Sequence, residues 1–125
     1  MKRLGEFYKE RVLRLGKKSL IKKELYNNKD EIKIIKDLYG WKLHFGKDAI
    51  ECRSEEEARY LKVFFEAGLR EIYIPKSPRY LQQIIPELEE LKAKTDEIIN
   101  SYLESILDPK MKIKIRKEVY IEIMK

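Results

Sequence analysis

Residues 41–75 hold the pattern that most constrains this chain, because signals for two strands, a helix and a third strand follow one another there. In Trp41–Phe45 and again in Ala49–Arg53, apolar residues alternate with polar ones. That period of two is typical of strands with one buried face. The residues between the two segments are then the turn of a β-hairpin.

A two-residue loop at Gly46 and Lys47 gives this hairpin its best register. It places apolar residues opposite apolar ones, and residues of opposite charge opposite each other. A three-residue loop would place Leu43 opposite Glu51, and a four-residue loop would bring two cations together. The predicted pairs are Trp41 with Cys52, Lys42 with Glu51 and Leu43 with Ile50.

A helix start follows the hairpin directly. Ser54 precedes Glu57 by three residues, so the two side chains can cap free amides reciprocally at the first turn. The helix is expected to end where Gly68 supplies a left-handed conformation, with Leu69 packed behind it. We expect the buried face of this helix to comprise Ala58, Leu61, Phe64 and Phe65, and the strand that follows, residues 70–75, to bury Ile72 and Ile74.

The N-terminal segment, residues 1–40, is predicted to form three short helices. The first ends at Gly16, the second begins at a Ser19 cap, and the third covers residues 31–39 after an Asp30 cap. A turn at Asn27-Asn28-Lys29 leads into the third helix. None of the three would be stable alone, so they must pack on one another or on the sheet. The residues expected to face inward are Leu4, Tyr8, Val12 and Leu15, then Leu20, Ile21 and Leu25, then Ile32, Ile35 and Leu38.

Residues 77–107 carry an apolar stripe at alternating spacings of three and four, which predicts an amphipathic helix that begins at Ser77 and Pro78. Pro86 permits either one kinked helix or two helices. The stripe can cover the sheet of its own chain or a second copy of the chain, and the sequence leaves both interpretations open. We expect a homodimer formed through Leu88, Leu91, Ile98, Tyr102 and Ile106.

The basic tail, residues 109–125, fits two patterns. Its branched apolar residues alternate with cations, which favours strands, whereas Asp108 and Pro109 look like a helix start. We expect strands. The whole chain is then a single domain of the α+β class, with N-terminal helices, a β-β-α-β unit at 41–75, the amphipathic helix or helix pair at 77–107 and the tail.

The composition narrows the class of protein. No run of about eighteen apolar residues exists, and the first residues lack the apolar stretch of a secretion signal, so we expect a soluble cytoplasmic protein with no membrane partner. Charged residues make up 40% of the chain, mostly Lys, Glu and Arg, a composition typical of thermophilic proteins. Cys52 is alone and lies on an apolar strand face, which indicates a small buried side chain.

Charge is the one feature that indicates a partner. Residues 1–40 contain 12 Lys and Arg against 6 Asp and Glu, and residues 109–125 contain 6 against 2. Cations at helical spacing in the first segment could neutralise phosphates, with Tyr8 nearby to stack on a base. The alternatives are a solvated helix face and contact with an anionic membrane surface. The predicted nucleic-acid-binding residues are Arg11, Arg14, Lys17, Lys18, Lys22 and Lys23.

Candidates for catalysis are few. His44 is the only histidine, no His and Cys spacing suits a metal, and no phosphate loop or nucleophile motif is present. We therefore expect no catalytic residues, cofactor, metal or small-molecule substrate. The predicted function is a basic nucleic-acid-binding module without enzymatic activity, with DNA and RNA both open. An assembly subunit without a nucleic-acid role ranks second, and a metal-dependent nuclease using Asp48 and Glu51 ranks third.

Overall fold

Helices and strands are both present in the computed structural model, which describes residues 2–25 and 31–125, so the predicted α+β class is confirmed. Two 3₁₀ turns, Leu13–Leu15 and Lys17–Ser19, follow the first helix. In chain order the other elements are α1 (Leu4–Arg11), β1 (Leu20–Glu24), β2 (Ile32–Asp37), β3 (Gly40–Phe45), β4 (Asp48–Cys52), α2 (Glu55–Glu66), β5 (Glu71–Pro75), α3 (Pro78–Leu103) and α4 (Pro109–Met124).

The hairpin of β3 and β4 has the predicted register. Its two-residue turn begins at Gly46, whose φ of +61° suits the first central position of a type II′ turn. Leu43 is fully buried beneath α2, and Ile50 is half-buried. The cross-strand pairs are Trp41 with Cys52, Lys42 with Glu51 and Leu43 with Ile50.

Helix α2 begins and ends as its sequence predicts. The Ser54 hydroxyl accepts a hydrogen bond from the Glu57 amide at 3.2 Å, and the Glu57 carboxylate accepts one from the Arg53 amide at 2.9 Å. At the other end Gly68 has a φ of +96°, and the Leu69 amide donates to the Phe64 carbonyl at 3.1 Å. These two bonding patterns fix the length of the helix. The predicted buried residues Ala58, Leu61, Phe64 and Phe65 are all fully buried, as are Ile72 and Ile74 of β5.

Of the three helices predicted for the N-terminal segment, the first is present as α1, and the second and third are wrong. Helix α1 ends at Arg11, and Leu15 in the 3₁₀ turn beyond it is 38% exposed rather than inward-facing. The expected second helix is strand β1, which pairs antiparallel with β5. The expected third helix is strand β2, which pairs antiparallel with β3. The sequence-predicted turn at 27–29 and the Asp30 cap lie outside the described residues.

Long-range pairing explains this difference. Ile32, Ile34 and Ile35 are β-branched and favour extended backbone, and β2 supplies the hydrogen-bond partners that the edge of β3 requires. Strand β1 likewise satisfies the edge of β5, with Leu25 and Lys76 amides extending the pairing at both ends. The molecule therefore has two antiparallel sheets, β1-β5 and β2-β3-β4, in the part of the chain that the structure describes.

Helix α3 is continuous through Pro86. Pro86 cannot donate to the Gln82 carbonyl, but both residues are exposed, so water can solvate that carbonyl. The Ser77 hydroxyl caps the helix by accepting from the Tyr80 amide at 3.2 Å. One long helix, rather than a helix pair, follows the β5 strand.

The predicted strands in the tail are wrong, because residues 109–124 form helix α4. Asp108 caps it by accepting from the Lys110 amide at 3.0 Å, and Pro109 occupies the first turn. Ile115, Val119 and Ile123 lie at helical spacing and pack against the core. The alternative helix pattern in the sequence was therefore correct, although Met111 is 47% exposed.

One apolar core contains buried residues from helices α1, α2, α3 and α4 and from both sheets. Tyr8 of α1 accepts from the Tyr73 amide of β5 at 2.9 Å, and Tyr60 of α2 donates to the Tyr73 carbonyl at 2.7 Å. Gly5 allows α1 to approach α4 closely, since a Cβ there would lie 2.6 Å from the Ile123 carbonyl oxygen. None of the helices among the described residues has the length and apolar character that crossing a membrane requires.

Candidate nucleic-acid interface

Three of the six predicted phosphate-binding cations are already engaged within the chain. Arg11 forms an ion pair with Glu87 at 3.2 Å. Lys22 lies on β1 between two carboxylates, Glu71 at 2.6 Å and Glu24 at 3.0 Å. The hydrogen bond to Glu71 and then that to Glu24 raise the pKa of the Lys22 amine. Lys23, on the same strand, donates to the backbone carbonyl of Glu51 at 3.3 Å.

The other three cations lie together on the segment that follows α1. Arg14, Lys17 and Lys18 are all exposed, and no carboxylate of the described residues forms an ion pair with any of them. Gly16, between them, has a φ of +84°, so the chain bends there between the two 3₁₀ turns. The bend presents the three cations on a loop rather than on the helix face that the spacing predicted.

Two further cations, which the sequence analysis missed, lie beside this loop. Lys76 and Arg79 are exposed on either side of the start of α3, and neither forms an ion pair with a described carboxylate. Lys18 and Lys76 line an open depression of about 400 Å³. The Ser77-Pro78 cap signal placed these residues at a helix start, and their charge there was the signal that could have found them. We call Arg14, Lys17, Lys18, Lys76 and Arg79 the basic platform.

Backbone hydrogen bonds hold the two parts of the basic platform together. The Lys76 amide donates to the Ser19 carbonyl at 2.8 Å, which joins the loop to the segment before α3. The Tyr80 hydroxyl donates to the Arg11 carbonyl at 2.5 Å, which fixes the other end of the loop against α3. The platform is therefore a built surface that combines distant segments of the chain.

The electrostatic potential of the basic platform favours the binding of an anion. The first amides of a helix carry partial positive charge, and α3 directs that end toward the depression. Cations that form no ion pair with a described carboxylate add to this potential, although Arg14 also interacts with the charge of Glu10. Phosphate groups spaced along a backbone suit such a surface, since several cations can each contact one.

An exposed hairpin tip lies at the end of the three-stranded sheet that faces the platform. The tip is the turn between β2 and β3, formed by Leu38 and Tyr39, which are 98% and 89% exposed. This overturns the prediction that Leu38 faces inward, because residues 32–37 form a strand and the turn points Leu38 into solvent. Lys42 lies 5.8 Å from the Tyr39 ring centroid, and Lys36 lies 5.4 Å from that of Trp41.

Arg53 connects this end of the sheet to the platform. Cys52, directly before it, pairs with Trp41, which lies two residues beyond the tip. The Arg53 guanidinium donates to the Lys76 carbonyl at 2.8 Å and to the Pro75 carbonyl at 3.0 Å. The tip and the platform therefore belong to the same end of the molecule.

The basic tail lies elsewhere. Helix α4 runs antiparallel to α3, because Arg116 contacts Asn100 and Tyr120 contacts Asp96. Its first lysines consequently lie near the C-terminal end of α3, about 35 Å along that helix from the platform. The basic platform and the first lysines of α4 therefore do not form one surface, whereas the end of α4 packs against α1, where Lys9 donates to the Lys125 carbonyl.

Of the residues predicted for a dimer interface, some are buried within the chain and others are exposed. Leu88 is fully buried inside the chain, so it cannot contact a second copy. Leu91 and Ile106 are half-buried against the chain's own core. Ile98 and Tyr102 are 58% and 69% exposed on α3. Helix α3 buries Thr95, which belongs to the predicted stripe, together with Ile99 and Leu103, which the three-and-four spacing did not single out.

A larger groove of about 640 Å³ lies between α2, α3 and α4. Three of its polar groups bond to one another: Lys92 pairs with Asp96 at 2.6 Å, and the Tyr120 hydroxyl donates to the same carboxylate. Burial raises the pKa of Tyr120, and so does its bond to Asp96. This cluster joins α3 to α4, and these bonds explain it as a structural contact between the two helices.

Metal binding has no support in the described geometry. Among residues 2–25 and 31–125, no three His, Cys, Asp or Glu side chains lie close enough to share an ion. Asp48 and Glu51, the predicted nuclease carboxylates, are three residues apart on β4 and so point to opposite faces of the sheet. Lys42 pairs with Asp37 at 3.0 Å rather than with either of them.

Comparison with protein-family models, with curated proteins and with solved structures finds no match for this chain.

Proposed function

We propose that the protein is a non-enzymatic nucleic-acid-binding module, with the basic platform as its phosphate-binding surface. One observation carries the proposal: five exposed cations lie on two distant segments that meet at the start of α3, and none of them forms an ion pair with a carboxylate of the described residues. Two of the five, Lys18 and Lys76, line the depression between these segments.

Binding of this kind depends on charge and only weakly on base sequence. Each cation that contacts a phosphate releases counterions from the nucleic acid. The affinity therefore falls as the salt concentration rises. Contacts to the backbone fix the position of the ligand without reading its bases. A cytoplasmic location is part of the proposal, since nucleic acid is present there and the lone Cys52 stays a thiol in a reducing compartment.

Fluorescence anisotropy with two labelled DNA duplexes of unrelated sequence tests the proposal. The double variant Arg14→Ala, Lys18→Ala should bind both duplexes more weakly, and to the same degree. Its matched control is Lys110→Ala, Lys114→Ala, which removes the same charge from exposed positions on α4. Equal affinity of parent and platform variant would refute the proposal, and so would equal weakening in the control.

Self-association is a second candidate role, favoured by the exposure of Ile98 and Tyr102 on α3. Large apolar side chains one turn apart on a helix can pack against the same residues of a second copy around a two-fold axis. Such a homodimer would use the exposed part of the predicted interface and leave Leu88 in its own core.

A further inference from the structure

The hairpin tip has a feature that the proposed phosphate contacts do not use. Tyr39 presents most of its ring to solvent at the end of a β-hairpin, beside the almost fully exposed Leu38. The Lys42 amine lies 5.8 Å from the Tyr39 ring centroid, whereas the Lys36 amine lies over the Trp41 ring on the other face of the hairpin. An exposed aromatic ring on a surface that also carries cations is the combination that binds unpaired bases together with their phosphates.

The tip is held in one conformation by its own side chains. Asp37 accepts the Tyr39 amide at 2.8 Å through one carboxylate oxygen and the Lys42 amine at 3.0 Å through the other. The Lys42 bond and then the Tyr39 amide lower the pKa of Asp37, so the carboxylate stays charged near neutral pH. Gly40, with a φ of +120°, completes the turn in a conformation that other residues rarely adopt. The backbone that carries the Tyr39 ring is therefore held in one conformation before any ligand arrives.

We propose, on the basis of the function proposed above, that the ligand is single-stranded nucleic acid and that Tyr39 stacks on one of its bases. A duplex hides the faces of its bases within its own stack, whereas a single strand can turn a base outward onto an aromatic ring. Lys36, which is exposed and forms no ion pair with a described carboxylate, would contact a phosphate of the strand, whereas Lys42 is engaged by Asp37. The strand would continue past Arg53 toward the basic platform, which lies at the same end of the molecule.

Anisotropy with labelled oligodeoxythymidylate, and with its duplex with oligodeoxyadenylate, tests this proposal. Tyr39→Ala should weaken binding of the single strand about tenfold and leave duplex binding unchanged, because stacking is lost and the platform is intact. Tyr39→Phe should keep the parent affinity, since the ring remains. Tyr39→Leu keeps an apolar side chain without a ring and should behave like Tyr39→Ala. Circular dichroism should show that all three variants fold.

Intrinsic fluorescence gives an independent readout, since Trp41 is the only tryptophan and lies next to the tip. Oligodeoxythymidylate should change its emission in the parent protein and in Tyr39→Phe. Equal single-strand affinity in parent and Tyr39→Ala, together with a normal loss in the Arg14 and Lys18 double variant, would overturn the tip proposal alone. Parent protein that binds no nucleic acid would overturn both proposals. Tyr39-dependent binding to phosphatidylserine vesicles without oligonucleotide binding would also overturn them.

Discussion

The Arg53 guanidinium donates through Nε to the Glu57 carboxylate at 2.6 Å, and the Glu57 side chain is fully buried. The same guanidinium donates to the carbonyls of Pro75 and Lys76. One side chain therefore joins the end of β4, the first turn of α2 and the segment that enters α3. The position of the hairpin relative to the basic platform depends on this junction.

Removal of Arg53 should destabilise the fold. Arg53→Ala leaves the Glu57 carboxylate buried without its cation, which typically costs about 3 kcal/mol or more. Arg53→Lys keeps the charge, but its single ammonium cannot reproduce the planar donor geometry by which Nε, Nη1 and Nη2 each reach a different acceptor. Its urea midpoint should therefore lie between those of Arg53→Ala and the parent. Equal midpoints for Arg53→Ala and the parent would show that the junction contributes no stability.

Substitution of Gly5 should separate α1 from α4. A Cβ at this position would lie 2.6 Å from the Ile123 carbonyl oxygen and 2.8 Å from Met124 backbone atoms, so the helices must move apart. Gly5→Ala should cost about 1–3 kcal/mol in urea unfolding, although Ala favours helix. The control Ser101→Ala, at an exposed position of α3, should change stability by less than about 0.5 kcal/mol. Stabilisation by Gly5→Ala would contradict the close approach.

Local signals decided which parts of the fold could be predicted from sequence. The hairpin register follows from alternation and a short turn, and the ends of α2 follow from Ser54, Glu57 and Gly68, all within a few residues of the elements they determine. The segments that became β1 and β2 were predicted as helices because their apolar residues also match helical spacing. They form strands because they pair with β5 and β3. A local sequence pattern carries no information about pairing with a distant strand.

The candidate site was predictable only in part for the same reason. Arg14, Lys17 and Lys18 were identified by charge, but no sequence pattern joins them to Lys76, because the link is a backbone bond between distant segments. Tyr39 was assigned to a helix, which concealed its place at a hairpin tip. In the tail, apolar residues four positions apart fit both a strand and a helix. The Asp108 cap is a signal that favours the helix.

Cys52 should be unreactive in the folded protein at neutral pH. Burial, and then the charge of Glu57, raises the pKa of the Cys52 thiol to about 11, from an ordinary value of 9.0. Its thiolate fraction is then about a hundredfold lower than that of a free thiol, so iodoacetamide should react far more slowly with native than with urea-unfolded protein. Because the folded-state pKa is the higher one, the stability from the protonated thiol is present below pH 9.0 and is lost as the pH rises toward 11. Equal alkylation rates would contradict this assignment.

Self-association should depend on the exposed side of α3. Ile98→Glu with Tyr102→Glu should give a folded monomer in sedimentation equilibrium, because both side chains are exposed and contribute little to the core of one chain. Leu88→Glu should instead unfold the chain, since Leu88 is fully buried. A parent protein that is monomeric at all concentrations would show that Ile98 and Tyr102 have no such role.

The dependence of affinity on salt tests the central claim most directly, because it measures how many phosphates the protein neutralises. The logarithm of the association constant for oligodeoxythymidylate should fall linearly with the logarithm of salt concentration, with a slope of about −3.5 from the five platform cations and about −4 if Lys36 contacts a phosphate as well. The Arg14→Ala, Lys18→Ala variant should have a slope smaller in magnitude by about one to two. A parent slope near zero, or a slope that the double variant leaves unchanged, would contradict the basic platform as a phosphate-binding surface.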